Sequence, residues 1–137
     1  MPTKLNAYLN FKDNARDAME FYKSIFGGEL TINTFSEYNA SPDPSEANKV
    51  MHSVLDAGGI AFMAADTPNS MEYRPAAGFG MSLSGDNLDE LRGYFDKLSQ
   101  GGTVTMPFEK AAWGDTFGMV VDKFGVSWLV NATASAS

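Results

Sequence analysis

The sequence contains no cysteine and only one histidine, His52. The first absence excludes disulfides, thiolate metal sites and thiol catalysis. The second excludes a multi-histidine metal site or a second histidine supporting a catalytic triad within one chain. No apolar run approaches the ~20 residues of a membrane-spanning helix, and the N-terminus lacks the apolar core of a signal peptide. These absences predict a cytoplasmic protein without a membrane partner.

Positive charge is also scarce, because 10 Lys and Arg residues stand against 17 Asp and Glu residues, for a net charge of −7. Nucleic acids and anionic membranes both attract basic patches, so neither is predicted as a partner. The chain has 137 residues, of which 44% are hydrophobic. At this length roughly two thirds of the unfolded chain's surface can be buried. The totals predict one globular domain or two small fused units.

The first half of the chain alternates between strand and helix patterns. Apolar and polar residues alternate over 4–11, which predicts a half-buried strand. Apolar residues then recur at three- and four-residue steps from Ala15 to Phe26, which predicts an amphipathic helix that Gly27 ends. Asp13 and Asn14 are the predicted N-caps. Three further strands are predicted over 29–37, 50–56 and 60–65, with a long loop over 38–49.

The second half repeats this order after a polar, Pro-containing stretch over 66–77. That stretch is predicted to be a linker, and its Met71 and Tyr73 suggest that it folds over something. Asn87, with Glu90 three residues later, predicts a capped helix start. The remaining predictions are strands over 79–84, 103–105, 116–121 and 126–131, and a loop over 106–115 that contains Pro107 and Trp113.

The two halves match in register. Asp13-Asn14 and Asp86-Asn87 are 73 residues apart, and Gly27-Gly28 and Gly101-Gly102 are 74 apart. Near the end of each half, Gly59 and Gly125 are 66 apart. Several matches in order predict a duplicated unit. Two such units would carry their helices outside and leave an inner, concave face free to form a cavity.

Several segments together resemble a known family: Tyr-Leu-Asn-Phe at 8–11, Ala-Met-Glu-Phe-Tyr-Lys at 18–23, Phe-Gly-Gly-Glu at 26–29, Lys-Val-Met-His at 49–52, Gly-Gly-Thr-Val-Thr-Met-Pro at 101–107, Trp113-Gly114, and Phe-Gly-Met-Val-Val-Asp-Lys-Phe-Gly-Val-Ser-Trp at 117–128. They resemble the PhnB-like branch of the glyoxalase, bleomycin-resistance and dioxygenase (vicinal oxygen chelate) superfamily. The resemblance implies an α+β fold of two βαβββ modules, with curved mixed sheets, helices outside and a concave cavity. The first module is predicted over 4–65, the linker over 66–77 and the second module over 78–131. The resemblance also implies a homodimer.

The resemblance places metal ligands of the superfamily's enzymes on the first and last strands of each module. The matching positions here are Asn6 (Ala7 if the register slips), Met63, Gly80 and Leu129. Zinc prefers His, Glu or similar donors, and Met63 and Leu129 are neither. We therefore predict no metal site of the familiar kind and no cofactor. This branch also carries a ubiquinone-methyltransferase label, but the sequence has no G-x-G-x-x-G turn for a nucleoside cofactor.

Five residues are candidates for binding a small molecule: Tyr8, Asn10, His52, Trp113 and Phe117. Tyr8 and Asn10 share the polar face of the first strand, where they suit either a ligand or a dimer contact. His52 is either an ordinary strand residue or a polar anchor and proton carrier in the cavity. Trp113 and Phe117 are either core residues or, for Trp113, a lid over the pocket. The sequence identifies no catalytic residue.

The function predicted from these observations is that of a PhnB-like protein without the usual metal site, which binds a small organic molecule in the cavity between the modules. Two alternatives remain. One is a metal-dependent lyase, isomerase or dioxygenase of the glyoxalase type. The other is a homodimeric protein without catalytic activity. Whether any reaction is catalysed is left open, because a fold alone does not fix a function.

Overall fold

The computed structural model describes residues 3, 5–38, 43–75 and 77–134. Residue 4 of the predicted first module, 39–42 of the predicted loop and 76 of the predicted linker lie outside these ranges. The chain divides into two compact units, residues 1–75 and 76–137. Within the described ranges, no helix is both long enough and apolar enough to cross a membrane.

Unit 1 is a four-stranded mixed sheet with one helix. Its elements in chain order are β1 (Ala7–Phe11), α1 (Ala15–Phe26), β2 (Glu29–Thr34), β3 (Val50–Ala57) and β4 (Ile60–Asp66). The strands lie in the order β1-β4-β3-β2, and β1 pairs with β4 in parallel while the other pairs are antiparallel. Two short 3-10 turns, Ser36–Tyr38 and Pro44–Glu46, lie between β2 and β3.

Unit 2 repeats this arrangement. Its elements are β5 (Met81–Gly85), α2 (Leu88–Ser99), β6 (Thr103–Lys110), β7 (Thr116–Val121) and β8 (Ser127–Ala132). The strand order is β5-β8-β7-β6, again with a parallel pair between the first and last strands. The predicted α+β fold of two βαβββ modules is therefore confirmed.

Each sheet buries one face and leaves the other open. In β1, Leu9 and Phe11 are buried, whereas Tyr8 and Asn10 are exposed. Tyr22 of α1 meets Phe62 of β4 edge-on at 5.4 Å in the buried layer. Because successive side chains of a strand point to opposite faces, the polar residues of β1 occupy the face away from the helix.

The helix starts differ between the units. Asn87 accepts a hydrogen bond from the Glu90 amide at 3.1 Å, which confirms the predicted cap of α2. The predicted side-chain cap of α1 is wrong, because Asn14 makes no capping hydrogen bond. Asp66 at the end of β4 accepts from the Ala15 amide instead, at 2.9 Å. A buried carboxylate from a distant strand thus satisfies a free N–H group of the first helical turn.

Asp122 holds the turn between β7 and β8. It is buried, and one carboxylate oxygen accepts from the backbone amides of Phe124 and Val126 at 2.8 and 3.1 Å. The other oxygen accepts from the indole N–H of Trp128 at 2.8 Å. The side chain of Asp122 therefore links this turn to the buried indole ring of Trp128.

β6 is longer than its sequence pattern predicts. The predicted loop over 106–115 is wrong as far as Lys110, since the strand continues to that residue and only 111–115 form the turn. β6 lies at the edge of its sheet, and its pairing with β7 shifts register twice on either side of Met106. Proline is tolerated at such edges and bulges, which explains how Pro107 lies within a strand.

Candidate functional site

The open face of unit 1 is organised by the pairing of β1 with β4. Tyr8 lies opposite Met63, and Asn10 lies opposite Ala65. In unit 2 the corresponding pairs are Ser82 with Leu129 and Ser84 with Asn131. Tyr8 and Ser82 are therefore equivalent positions, as are Asn10 and Ser84.

The family's ligand positions fit a divalent metal poorly. Asn6 precedes β1 by one residue and Gly80 precedes β5 by one residue. The side chains paired with Met63 and Leu129 are instead a phenol and a hydroxyl, those of Tyr8 and Ser82. A thioether and an alkyl group beside neutral hydroxyls do not match the His and carboxylate donors that zinc prefers. Among the residues that the structure describes, no cluster of three or more His, Cys, Asp or Glu side chains could hold a metal ion.

Unit 1 contains a cavity of about 360 Å³ beside this face. Its lining residues come from β1, β3 and β4, from the connection between β2 and β3, and from the segment that follows β4. They are Tyr8, Asn10, Phe35, Met51, Ala65, Asp66, Thr67, Pro68, Met71, Glu72 and Arg74. The segment 66–75, predicted as a linker, thus supplies over half of the lining. The expectation that it folds over something agrees with this placement of Met71.

Hydrogen bonds fasten the segment 66–75 to the rest of unit 1. The Thr67 amide donates to the Phe11 carbonyl at 2.7 Å. The Lys12 ammonium donates to the Asn69 side chain at 2.8 Å, and the Asn69 amide donates to the buried Glu46 carboxylate at 3.2 Å. Asp66 also accepts from the Val50 amide at 2.9 Å. The cavity wall is therefore held by β1, β3 and the long loop before β3.

Tyr8 is a residue of the cavity lining whose phenol is partly removed from water. Desolvation by burial raises the pKa of its phenol above the ordinary value. At neutral pH the group is therefore a hydroxyl that can donate a hydrogen bond. Its ring stacks with that of His52, with centroids 5.9 Å apart. His52 lies on β3 opposite Asn33 and contacts the cavity through Tyr8.

Unit 2 contains a second, smaller cavity of about 240 Å³. Its residues come from β6, from the 111–115 turn and from the start of β7: Met106, Pro107, Glu109, Lys110, Ala111, Trp113 and Phe117. The rings of Trp113 and Phe117 meet edge to face at 5.6 Å. Trp113 is 63% exposed, so core packing is wrong for this residue, whereas Trp128 is 2% exposed and belongs to the core.

The five candidate binding residues therefore form two groups. Tyr8 and Asn10 line the cavity of unit 1 with His52 next to Tyr8, and Trp113 and Phe117 line the cavity of unit 2. Sequence reasoning missed Thr67, Arg74 and Asp66 in the first cavity. Their signal was weak, since a polar, Pro-containing stretch usually indicates only a connection.

Comparison with known proteins places the chain in a family. The family model for 3-demethylubiquinone-9 3-methyltransferase matches residues 3–131. The chain is 30% identical to protein YjdN of Escherichia coli over 93% of each chain. Among solved structures it resembles protein PA1353 of Pseudomonas aeruginosa, with 34% identity, a TM-score of 0.85 and coverage of 98% of this chain and 100% of that one.

Two further structures extend the likeness. A putative 3-demethylubiquinone-9 3-methyltransferase, the PhnB protein of Bacillus cereus, is 27% identical with a TM-score of 0.74 and covers 96% and 100% of the two chains. A glyoxalase/bleomycin resistance protein/dioxygenase superfamily member from Sphaerobacter thermophilus shares the fold at 20% identity and a TM-score of 0.58, over 95% and 98% of the chains. The chain belongs to the 3-demethylubiquinone-9 3-methyltransferase family, and it shares its fold with the PhnB protein and with the glyoxalase/bleomycin resistance protein/dioxygenase superfamily member.

Proposed function

We propose that this protein binds a small organic molecule and that the cavity of unit 1 is its binding site. The observation that carries the proposal is the cavity of about 360 Å³, whose lining includes Tyr8 with its hydroxyl and Asn10 with its amide. Ligand sites are typically concave, mostly apolar and supplied with a few polar groups that orient the ligand. This cavity has that composition.

The cavity walls favour a compact and largely apolar ligand. Its volume lies near the lower end of the roughly 300–1,000 Å³ that is usual for small-molecule sites. Phe35, Met51 and Met71 supply apolar wall, and methionine side chains adapt readily to different shapes. Both oxygens of Asp66 accept from backbone amides, so this carboxylate serves the fold. Tyr8, Asn10, Thr67 and the exposed ion pair of Glu72 with Arg74 remain as the polar groups that would orient a ligand.

We propose that binding needs no divalent metal. The proposal is supported by the residue types at the family's ligand positions, Asn6, Met63, Gly80 and Leu129. A metal-dependent lyase, isomerase or dioxygenase is the competing hypothesis. Elemental analysis of the purified protein separates the two, because a tightly held divalent ion in stoichiometric amount would refute the metal-free proposal.

The description of the family makes methyl transfer a second candidate function. Such a reaction needs a methyl donor, and S-adenosylmethionine is the usual nucleoside cofactor of this kind. The mixed strand order β1-β4-β3-β2 differs from the doubly wound parallel sheet that binds nucleotides at its switch point. Calorimetric titration with S-adenosylmethionine tests this candidate, and saturable binding would favour it over simple ligand binding.

The binding proposal is tested with a library of small aromatic and aliphatic compounds, screened by thermal shift and then by ligand-observed NMR. A ligand that binds only the native state raises the melting temperature. We expect Asn10→Ala to weaken the best compounds about 5-fold to 150-fold, because it leaves a buried polar group of the ligand without a partner, which costs roughly 1–3 kcal/mol. Ser84→Ala alters the equivalent position of unit 2 and is the matched control. Equal losses in the two variants, or no binding compound at all, would contradict the proposal.

We also propose that the chain forms a homodimer in the cytoplasm. The proposal follows from the family resemblance, and it is supported by exposed apolar side chains such as Phe79 and Val104 in unit 2. Sedimentation velocity over a range of concentrations decides the oligomeric state, and a single monomeric species throughout would refute the dimer.

A further inference from the structure

The cavity of unit 2 has a chemistry that differs from that of unit 1. Its lining includes the indole of Trp113, which is exposed rather than packed into the core. An exposed tryptophan with a fixed orientation is typical of a binding anchor, because little side-chain entropy is lost when a partner contacts it.

Three local contacts fix Trp113. The 111–115 turn is closed by hydrogen bonds from the Ala111 amide to the Asp115 carbonyl at 2.6 Å and from the Gly114 amide to the Ala111 carbonyl at 3.0 Å. Gly114 adopts a φ of 100°, which other residues rarely adopt. The edge-to-face contact with Phe117 completes the support of the ring.

Asp115 fastens the same turn to β8 and to the end of the sheet. Its carboxylate accepts from the Ala134 amide at 3.0 Å and from the Asn131 side chain at 3.1 Å. These bonds, the first of them most, hold the pKa of Asp115 below its ordinary value. The carboxylate therefore holds the turn that carries Trp113 against the end of β8.

The strand register places a second carboxylate next to the aromatic pair. Glu109 lies opposite Phe117 in the β6–β7 ladder, and side chains opposite each other project from the same face. Lys110 also lines the cavity, but it lies opposite Thr116 and projects from the other face. The face of the sheet that carries Phe117 therefore also carries the carboxylate of Glu109.

We infer that the cavity of unit 2 binds a small organic cation, such as a quaternary ammonium group, between the face of Trp113 and the carboxylate of Glu109. Aromatic faces attract such cations, and tryptophan attracts them best. The volume of about 240 Å³ suits a compact head group, and the net charge of −7 favours the approach of a cation. This inference is independent of the proposed function of unit 1, since it concerns other residues and another ligand class.

The test uses choline chloride and its uncharged isostere 3,3-dimethylbutan-1-ol as probes of the full chain. The indole N–H signals of the two tryptophans report the site by NMR: Trp113 is the expected responder, and the buried Trp128 is the internal reference. We expect choline to shift the Trp113 signal saturably and the isostere to bind at least about 5-fold more weakly, as a cation–π contribution requires. Equal binding of the two probes, or a shift confined to Trp128, would overturn the inference.

Substitutions of Trp113 and Glu109 then measure how much the aromatic ring and the carboxylate each contribute to choline binding. We expect Trp113→Ala to weaken choline binding about 10-fold and Trp113→Phe less, because phenylalanine retains a smaller aromatic face. Glu109→Gln keeps the shape but removes the charge and is expected to weaken binding about 3-fold. Asp96→Asn removes one charge from the exposed face of α2 and is the matched control, for which binding should remain within about 1.5-fold of the original.

Two outcomes would replace the inference. If Asp96→Asn weakens choline binding as much as Glu109→Gln, the attraction comes from the overall charge and not from this site. If Trp113→Ala leaves choline binding intact but abolishes self-association in sedimentation, the occupant of the surface is a second copy of the chain. The melting temperature of each variant establishes that a loss of binding is not a loss of folding.

Discussion

The two units share one order of elements but differ in the connection between their second and third strands. In unit 1 this connection runs over 35–49, and it carries Phe35 to the cavity and Glu46 to the segment 66–75. In unit 2 it is the five-residue turn 111–115, which carries the exposed Trp113. The repeated frame therefore carries a larger cavity in unit 1 and a smaller cavity beside an exposed tryptophan in unit 2. The difference teaches that loops can set the function of each copy while the strands and helices stay the same.

A second difference concerns the buried aspartates. The offset of 66 residues that relates Gly59 to Gly125 also relates Asp56 to Asp122 and Asp66 to Ala132. Asp122 is buried and accepts hydrogen bonds from Phe124, Val126 and Trp128, whereas Asp56 is exposed and accepts from the Gly58 amide at 3.3 Å. Unit 1 instead buries Asp66, which joins the start of α1 to the start of β3. Each unit is thus stabilised by a buried carboxylate that accepts hydrogen bonds. In unit 1 it lies at the end of β4, and in unit 2 it lies in the turn between β7 and β8.

The largest effect that tests this comparison is expected from Asp122→Ala. The substitution leaves the Trp128 indole and the Val126 amide as buried donors without an acceptor, so the free energy of unfolding should fall by about 3–4 kcal/mol. Urea denaturation followed by tryptophan fluorescence measures the change. Asp56→Ala is the control and should cost less than about 0.5 kcal/mol. Similar losses from the two substitutions would show that the two turns are held alike.

A smaller effect is expected at the helix starts. Asn87→Ala removes the side-chain acceptor for the Glu90 amide and should cost about 1 kcal/mol. Asn14→Ala, at the same position of unit 1, should change stability by less than about 0.5 kcal/mol, because Asp66 provides the cap from a distance. Denaturation midpoints of the two variants provide the comparison. It would be contradicted by a cost for Asn14→Ala that equals or exceeds the cost for Asn87→Ala.

The smallest effect concerns the alkaline range. Burial raises the pKa of the Tyr8 phenol above its value in the unfolded chain, which is about 10. The unfolded chain therefore loses this proton first, and stability is retained in full below about pH 10 and falls as the pH rises beyond it. Tyr8→Phe should make that fall shallower without changing stability at pH 7 by more than a small amount. Melting temperatures of the two proteins, measured across pH 8–11, test this expectation. If they fall equally steeply with pH in Tyr8→Phe and in the original protein, burial does not raise the pKa of Tyr8.

The start of α2 was predictable from sequence, and the start of α1 was not. Asn87 and Glu90 are three residues apart, so the capping contact is visible in the local pattern. The cap of α1 comes from Asp66, which is 51 residues away from Ala15 and can be recognised only once β1 and β4 are paired. Leu88 illustrates the same limit, because this apolar residue of the first helical turn is 42% exposed whereas Leu91, three residues later, is buried.

For the candidate binding residues, the strand face of two of them was predictable from sequence, but their grouping into two cavities was not. The alternation of β1 identified Tyr8 and Asn10 as residues of the open face, which the pairing of β1 with β4 confirms. The separation of Trp113 and Phe117 into a cavity of their own depends on the length of β6, which continues through Pro107 to Lys110. Local rules end a strand near a proline, and only the pairing with β7 shows that this strand continues.

Pro107 also affects how one molecule meets another. The outer edge of β6 is a row of backbone groups to which a strand of another molecule could add, which is a route to aggregation. Proline has no amide hydrogen to offer such a strand, and the register shifts on either side of Met106 prevent a flat, regular edge. The residue that makes β6 hard to recognise in the sequence therefore also protects unit 2 against uncontrolled growth of its sheet at high protein concentration.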